Sequence, residues 1–327
     1  MLDRVSSRRE NWGEIYYRYR EDEFFAVANE GDSLSPSAPL GVGWVILGQC
    51  NLQCIHCYGN AEALPSRFLR GEAVMKVADR LVEAEVMRVV ISGGEPLLHP
   101  DIFDVIQRLI DGRVSVVLGT NGTHITESKL ENLRPCTRVE VSLDGDTPRL
   151  NNGLRPSRAL GGNAWLETQR AIRLCVEGGI RLRVLTTLNR YNQNRIEALA
   201  GLLSEWGVRD WALSWTLPAG RALPIYGELR PDESQVSVAL ERVIANHPEM
   251  TIRSSNRTVD HDRYYVLVLP DGTLATEAMN EGAKVVFGSL LDARLASMWT
   301  DRNYNFSAHV RKWLGSRVLK AAHRAAA

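Results

Sequence analysis

The chain has 327 residues, of which 44% are hydrophobic and 24% charged, as in an ordinary globular protein. Its formal net charge of zero argues against a general nucleic-acid partner or an anionic membrane surface. No apolar run approaches the ~20 residues of a membrane span. Because the N-terminus lacks a signal-peptide core and the five cysteines do not resemble a secreted disulfide framework, we expect a cytoplasmic protein.

The first 40 residues are predicted to stand apart from the rest of the chain. Glu14–Tyr19 and Phe24–Ala28 are aromatic-rich segments on either side of a charged turn, which is the pattern of a short β-hairpin. Ser33–Pro39, rich in serine and proline, is typical of a linker. We expect the hairpin to cover an edge of the following domain rather than to bind a partner.

Residues 41–219 alternate between apolar strand candidates and segments with helical periodicity. In Ala73–Ala84, for example, Val74, Val77, Ala78 and Leu81 share one helix face. Six near-continuous apolar strands separated by helices predict a parallel sheet that is covered on its outside. Six units are too few for an eight-stranded barrel, so we predict an α/β fold with a partial, TIM-like (β/α)6 barrel. The six strand candidates are Trp44–Leu47, Arg88–Ser92, Ser115–Gly119, Arg138–Leu143, Leu182–Leu188 and Trp211–Trp215.

Cysteine, glycine and polar motifs follow the first four predicted strands at the point where each strand ends. In chain order they are Cys50–Cys57, Gly93-Gly94-Glu95, Thr120-Asn121-Gly122 and Asp144-Gly145. Parallel barrels and open α/β sheets bind ligands at the carboxyl ends of their strands. We therefore expect the four motifs to meet in one active site.

Three of the five cysteines, Cys50, Cys54 and Cys57, place their thiols on one short loop with no fourth cysteine nearby. Three soft ligands suit an iron–sulfur cluster that leaves one iron open to another ligand. The alternative is a zinc site that a histidine, His56 or His99, would complete.

In combination, these motifs resemble the signature of the radical S-adenosylmethionine (SAM) superfamily over roughly Gly41 to Trp215. The cysteines have the spacing C-x3-C-x2-C with His56 in the place of an aromatic residue, and Gly93-Gly94-Glu95-Pro96 and Ser142-Leu143-Asp144-Gly145 follow. The resemblance implies that the three cysteines hold one 4Fe–4S cluster. It also implies that the amino and carboxylate groups of SAM chelate the fourth iron.

The resemblance further implies roles for individual residues around SAM. Glu95 would be essential for catalysis together with the cysteines, because it would accept a charge-assisted hydrogen bond from the methionine amino group. Gly93 and Gly94 would let the backbone approach the cofactor closely, and Ser142 and Arg155 would hold the methionine carboxylate. The other residues expected to line the pocket are His56 and Tyr58, through their backbone at the adenine, and Thr120, Asn121 and Asp144, at the ribose and substrate.

Residues 220–327 are predicted to form a small C-terminal α+β extension. The cysteine loop most resembles the subgroup with a SPASM or twitch extension, which carries auxiliary iron–sulfur clusters. No cysteine follows Cys175, and Thr276-Glu277 stands where relatives place one, so we expect an extension that has lost its metal. Cys175 and Cys136 are expected to be structural, although Cys136 could instead face the site as a hydrogen-atom donor.

The reaction implied by the resemblance is reductive cleavage of SAM to a 5′-deoxyadenosyl radical, which abstracts hydrogen from a substrate. The electron donor would be a flavodoxin or a ferredoxin. Without auxiliary clusters a two-electron oxidation lacks a local electron acceptor, and the N-terminal 40 residues are too short for a winged-helix leader-peptide reader. We therefore expect an enzyme that tailors a small metabolite in natural-product biosynthesis. The alternatives are a ribosomal-peptide maturase and, less favoured, a non-catalytic iron–sulfur protein.

Overall fold

The computed structural model describes residues 5–28, 35–59, 67–255, 265–276, 285–300, 304–314 and 318–320. The strands are β1 (Val5–Glu10), β2 (Gly13–Arg18), β3 (Glu23–Ala28), β4 (Gly41–Val45), β5 (Arg88–Ser92), β6 (Ser115–Thr120), β7 (Arg138–Ser142), β8 (Leu182–Leu188), β9 (Asp210–Trp215), β10 (Thr251–Ser255), β11 (Val266–Val268), β12 (Thr273–Thr276), β13 (Val286–Ser289) and β14 (Val318–Lys320). The α-helices are α1 (Glu72–Glu83), α2 (Ile102–Asp111), α3 (Leu130–Leu133), α4 (Pro148–Leu154), α5 (Ala164–Glu177), α6 (Ile196–Glu205), α7 (Tyr226–Leu229), α8 (Glu233–Asn246), α9 (Leu295–Met298) and α10 (Phe306–Leu314). Short 3₁₀ helices span Pro96–Leu98, Glu127–Lys129, Gln193–Arg195 and Gly220–Ile225.

Six parallel strands, β4 to β9, form the centre of the large sheet, and each pairs with the next one along the chain. Helices α1, α2, α5 and α6 bury their apolar sides in the same core as the strands. In α1 the buried residues are Val74, Val77, Ala78 and Leu81, the face predicted from the sequence. The predicted α/β fold with a mostly parallel sheet is therefore confirmed.

The strands of the predicted C-terminal extension join both edges of this six-stranded core. β10 pairs in parallel with β9, and β11 pairs in parallel with β4. β12 and β13 then continue the sheet in antiparallel fashion, so the predicted hairpin around Pro270–Gly272 is present. The sheet thus includes strands from both sides of the domain boundary that the sequence predicts at residue 220. Glu277, predicted to replace a cysteine, lies outside the described residues.

The N-terminal residues form a separate antiparallel sheet, β1-β2-β3, to which β14 adds a parallel strand. The predicted hairpin is β2–β3, whereas the polar β1 gave no alternating signal. The expectation that the hairpin covers an edge of the barrel is wrong. The Tyr17 hydroxyl lies 2.8 Å from Oγ of Ser115, the first residue of β6, and Asp22 pairs with Arg88 and Arg138, the first residues of β5 and β7. This sheet therefore closes the amino ends of the strands, because its aromatic and acidic side chains meet the strand starts.

The two cysteines outside the loop lie in the core. Cys136 lies two residues before β7 and therefore sits at the amino end of the sheet, opposite the predicted site. It is 7% exposed, and burial raises the pKa of its thiol to about 12. The suggestion that Cys136 could face the site is therefore wrong. Cys175 is fully buried on α5, as expected.

Candidate active site

The cysteine loop, residues 48–59, follows β4 and is held by the segment that follows α4. Gln53 N donates to Pro156 O at 2.8 Å, and Ile55 N donates to Leu154 O at 3.0 Å. In the opposite direction Arg158 N donates to Asn51 O at 2.9 Å. Cys57 N donates to Cys54 O at 3.3 Å, which closes a turn between the second and third cysteines. Backbone hydrogen bonds therefore fix the part of the loop that carries the three thiols. Cys54 is buried, and Cys50 and Cys57 are half-buried.

The Gly-Gly-Glu turn after β5 packs directly on the start of the cysteine loop. Gly94 N donates to Leu47 O and Glu95 N donates to Gln49 O, both at 2.8 Å. A Cβ atom at Gly94 would lie 2.0 Å from Gln49 O, and one at Gly93, whose φ is +144°, would lie 2.4 Å from Leu47 O. The glycines are therefore required by the close approach of two backbone segments. Their predicted approach to a cofactor stays a prediction.

Glu95 is fully buried and ties the end of β5 to the end of β6. Its carboxylate accepts hydrogen bonds from Leu97 N at 3.0 Å, Thr120 Oγ1 at 2.6 Å and Asn121 N at 2.7 Å. Burial raises the pKa of this carboxyl, and the three donors act in the opposite direction. Because a carboxylate offers about four acceptor positions, one position is left for a further donor such as an amino group.

Asn121, directly after β6, connects that strand end to the cysteine loop. Its Nδ2 donates to Asn51 Oδ1 at 2.8 Å and lies 3.9 Å from Cys50 Sγ. Leu52 N adds a second donor to this sulfur at 3.4 Å. Asn121 thus supports the cysteine loop and donates to its first thiol. Its predicted place near the pocket is an additional role.

Asp144, the second residue after β7, is the electrostatic centre of the site. Its buried carboxylate lies 3.0 Å from His56 Nε2, pairs with Arg155 Nε and accepts from Thr187 N at 2.7 Å. Burial alone would raise the pKa of this carboxyl, but the Arg155 cation and the contact with His56 hold it well below its ordinary range. Arg155 Nη1 also lies 3.7 Å from Cys54 Sγ. The predicted residues Asp144, Arg155 and His56 are therefore brought together at the second thiol.

Two further predicted residues, Ser142 and Tyr58, lie at the same end of the sheet. Ser142, the last residue of β7, is half-buried and lies in register with Leu185 of β8. The Tyr58 side chain is 46% exposed, so only the predicted role of its backbone fits its position. All predicted site residues nevertheless lie at the carboxyl end of the sheet, in the loops after β4 to β7 or at the last residue of a strand.

Gly220 and Arg221, at the start of the predicted C-terminal extension, hold the other half of the cysteine loop. Arg221 N donates to Cys57 O and Arg221 Nε donates to Cys54 O, both at 2.9 Å. A Cβ atom at Gly220 would lie 2.4 Å from Cys57 O. No local pattern marks these residues, because their partners are more than 160 positions away.

The thiols fit an iron–sulfur cluster better than a zinc ion. Burial raises the pKa of Cys54 to about 11 and also raises that of Cys50. A bound metal deprotonates such thiols outright, and N–H donors to the sulfurs are a known feature of iron–sulfur sites. His99, one of the two histidines proposed as zinc ligands, uses both ring nitrogens on the backbone of residues 69 and 101. Over the described residues, no three His, Cys, Asp or Glu side chains converge as ligands of a single ion.

Comparison with known proteins supports the superfamily that the motifs resemble. Residues 44–203 match the family model of the Radical SAM superfamily. A mycofactocin maturase, MftC of Mycobacterium ulcerans, is 26% identical over 211 residues, which are 64% of this chain and 56% of that protein. An AdoMet-dependent heme synthase of Methanosarcina barkeri is 29% identical over 188 residues, 57% of this chain and 53% of that protein. The chain thus spans a little over half the length of these curated relatives.

Solved structures extend the likeness to nearly the whole chain. The crystal structure of Streptococcus suis SuiB bound to precursor peptide SuiA superposes with a TM-score of 0.70 at 13% identity, covering 92% of this chain and 88% of that one. At this identity the likeness concerns the fold. Within the described residues, no helix is long and apolar enough to cross a membrane.

These matches support the radical SAM superfamily, whose members use a 4Fe–4S cluster and SAM. They confirm the prediction of an enzyme and of this pair of cofactors.

Proposed function

We propose that this member of the radical SAM superfamily uses the reductive cleavage of SAM to modify a peptide. The observation that carries the proposal is the construction of the cysteine loop. Three thiols lie on one short loop that residues after β5, β6, β7 and β9 clamp in place. Cys54 lies beside the Arg155–Asp144 pair. A chain that only carried a cluster would have no use for a buried carboxylate, imidazole and guanidinium beside Cys54.

When bound, the cluster and SAM supply one-electron cleavage of the sulfonium and abstraction of a hydrogen atom from substrate. The residues of the chain hold and orient these groups. Cys50, Cys54 and Cys57 would bind three irons, and Glu95 has one acceptor position left for the methionine amino group. Arg155 uses two of its three nitrogens on Asp144 and Cys54, so its third nitrogen would hold the methionine carboxylate.

His56 is oriented by Asp144 and keeps its other ring nitrogen for a ligand. With Nε2 donating to Asp144, Nδ1 is an acceptor, and it has no partner in the described part of the chain although it is buried. A buried imidazole nitrogen without a partner is costly. We assign it to a hydroxyl or amino donor of the bound cofactor or substrate. Thr120, Asn121 and Ser142 remain candidates for the same pocket.

A peptide substrate has more support than the small metabolite expected from the sequence. One relative is named a maturase, and SuiB, whose structure was solved with a precursor peptide, matches both the barrel and the extension. The heme synthase relative supports the second candidate, a small metabolite. We further assign residues 220–327 to a SPASM- or twitch-like extension without auxiliary clusters, since no cysteine follows Cys175. A redox-neutral outcome, a cytoplasmic location and a flavodoxin or ferredoxin donor complete the proposal.

The enzyme proposal is tested by reconstituting the protein with iron and sulfide under anaerobic conditions and adding dithionite and SAM. We expect cubane absorbance and 5′-deoxyadenosine formation. Cys54→Ala should lose both. Cys175→Ala, a cysteine of the core, is the matched control and should keep both. If wild-type protein binds iron but forms no 5′-deoxyadenosine above background, the chain is a cluster carrier and the proposal is wrong.

The substrate is tested by incubating the active enzyme with short peptides encoded beside its gene and, separately, with a metabolite extract. Mass spectrometry should show a SAM-dependent mass change in a peptide. A change found only in a small molecule would favour the second candidate over the first.

A further inference from the structure

An open groove lies on the outer rim of the barrel, beside the cysteine loop. It has a volume of about 490 Å³ and runs between α4 and the segment after β8. We call it the rim groove. Its lining residues are Ile55, Thr147, Arg149, Leu150, Gly153, Leu154, Tyr191 and Arg195.

The apolar wall of the rim groove adjoins the most buried thiol of the cysteine loop. Ile55 follows Cys54 in the chain, and its N–H donates to Leu154 O at 3.0 Å. Arg155, the neighbour of Leu154, reaches Cys54 Sγ at 3.7 Å. The residues that line this wall, Ile55 and Leu154, are therefore the chain neighbours of Cys54 and of the arginine that contacts its thiol.

The charged residues that line the groove, within the part of the chain that the structure describes, are both arginines. Arg149 is exposed, and Arg195 is exposed although it pairs with Asp146 behind it. Tyr191 adds a ring that is 53% exposed. Because Asp146 offsets the charge of Arg195, the groove combines an apolar floor and an aromatic ring with a net positive charge that comes from Arg149.

We propose that the rim groove is the docking site of a small acidic electron-transfer protein that reduces the cluster. This inference rests on the proposed function, because SAM cleavage consumes one electron that must enter from outside. In each encounter the partner's flavin or iron–sulfur carrier loses one electron and the cluster held by the three cysteines gains it. The partner's acidic side chains would pair with Arg149 and Arg195, and an apolar or aromatic group would rest on Tyr191 and Leu150.

The features of the groove suit a transient electron-transfer contact. Such interfaces are small and wet, below about 1,200 Å², and complementary charge speeds the encounter more than it tightens the complex. Arginine and tyrosine are enriched where protein surfaces meet. The short route from the groove to Cys54 is the reason to assign this surface to electron entry.

The test uses the charge reversal Arg149→Glu combined with Arg195→Gln in the full chain. The matched control is Arg242→Glu, since Arg242 lines a similar groove of about 440 Å³ between α6 and α8, away from the cysteine loop. Binding of oxidised bacterial flavodoxin is measured by titration at several ionic strengths. The double variant should raise the Kd about tenfold, equal to ~1.4 kcal/mol, and weaken the salt dependence. The control should change neither the Kd nor its salt dependence.

Turnover with two reductants gives the second readout. With flavodoxin, its reductase and NADPH, the double variant should form 5′-deoxyadenosine about tenfold more slowly at limiting flavodoxin, consistent with the weaker binding. With dithionite, a small reductant that needs no docking, its rate should match that of wild type.

Three outcomes would overturn the inference. One is flavodoxin binding that the double variant leaves unchanged. Another is an equal loss of the rate of 5′-deoxyadenosine formation with both reductants. The third is a raised KM for substrate with both reductants, which would assign the groove to the substrate. Absence of wild-type turnover with dithionite would instead contradict the proposed function, and the binding titration would still decide the docking site.

Discussion

Each end of the barrel carries a buried aspartate that is paired with arginine, but the two ends serve different purposes. At the amino end, Asp22 in the turn between β2 and β3 pairs with Arg88 and Arg138, and its side chain is 6% exposed. At the carboxyl end, Asp144 pairs with Arg155 and is fully buried. Burial alone would raise the pKa of both carboxyls, yet their cations lower the pKa of each.

The comparison shows which features do not identify an active site. A carboxyl pKa that arginine lowers is found at both ends, although shifted pKa values are often taken as a functional signal. A buried nitrogen without a partner among the described residues is also found at both, on Arg88 Nε and on His56 Nδ1. What separates the ends is that the carboxyl end has three thiols and an adjoining groove, whereas the amino end is covered by the β1–β3 sheet.

Replacing Asp144 with Asn should have the largest effect, because it disturbs both folding and function. Arg155 would lose a buried anion, which costs about 3 kcal/mol. The residues that orient a metal site typically contribute a further 10–100-fold in affinity or activity. We expect the variant, even when fully folded by circular dichroism, to retain little iron after gel filtration. Normal iron retention would mean that Asp144 acts only as a structural ion pair.

Replacing Asp22 with Asn should reduce stability alone. Asn tolerates the positive φ of this residue, +56°, so the change removes charge without straining the turn. We expect a loss of about 3 kcal/mol in the free energy of unfolding, measured with urea at neutral pH. Iron content and SAM cleavage should be those of wild type. A loss under about 1 kcal/mol would place this pair with ordinary surface ion pairs.

The same variant makes a pH prediction with a definite sign. Because the folded pKa of Asp22 lies below its unfolded value of about 3.9, its contribution is present above that pH and is lost as the pH falls through the folded pKa. The difference in unfolding free energy between wild type and Asp22→Asn should therefore shrink below about pH 4. A constant difference across this range would contradict the assigned pKa direction.

Replacing Gly94 with Ala should have the smallest effect of the series and act only at the carboxyl end. The added Cβ would lie 2.0 Å from Gln49 O, so the cysteine loop must shift, at a cost of about 1–3 kcal/mol. Faster loss of iron to a chelator is the expected result. Gly201→Ala is the control, because that glycine lies in α6 with open space around it, and there alanine should stabilise by about 1 kcal/mol. Equal iron loss in both variants would rule out the packing argument.

Several features were predictable because they are local. The six core strands follow from apolar runs between helical segments, and the face of α1 follows from its periodicity. The hairpin β2–β3 was recognised, but β1 was missed because its sequence, VSSRRE, is polar. Arg8 in this strand is buried, and its guanidinium donates hydrogen bonds to the backbone carbonyls of residues 38, 39 and 85. Sequence patterns do not encode such distant contacts.

The sequence by itself determined that the motifs lie together, because parallel strands bring their carboxyl ends to one edge and the spacing of the three cysteines is local. Only the tertiary structure decided what each residue does there. Asp144 contacts both His56 and Arg155, and Gly93 and Gly94 let the cysteine loop pack closely. Arg221 donates to the backbone of Cys54 from 167 positions away. The same holds for the N-terminal sheet, which closes the amino end through contacts with strand starts far along the chain. The physical reason is that such contacts depend on where distant segments pack, and they leave no periodic trace in either segment.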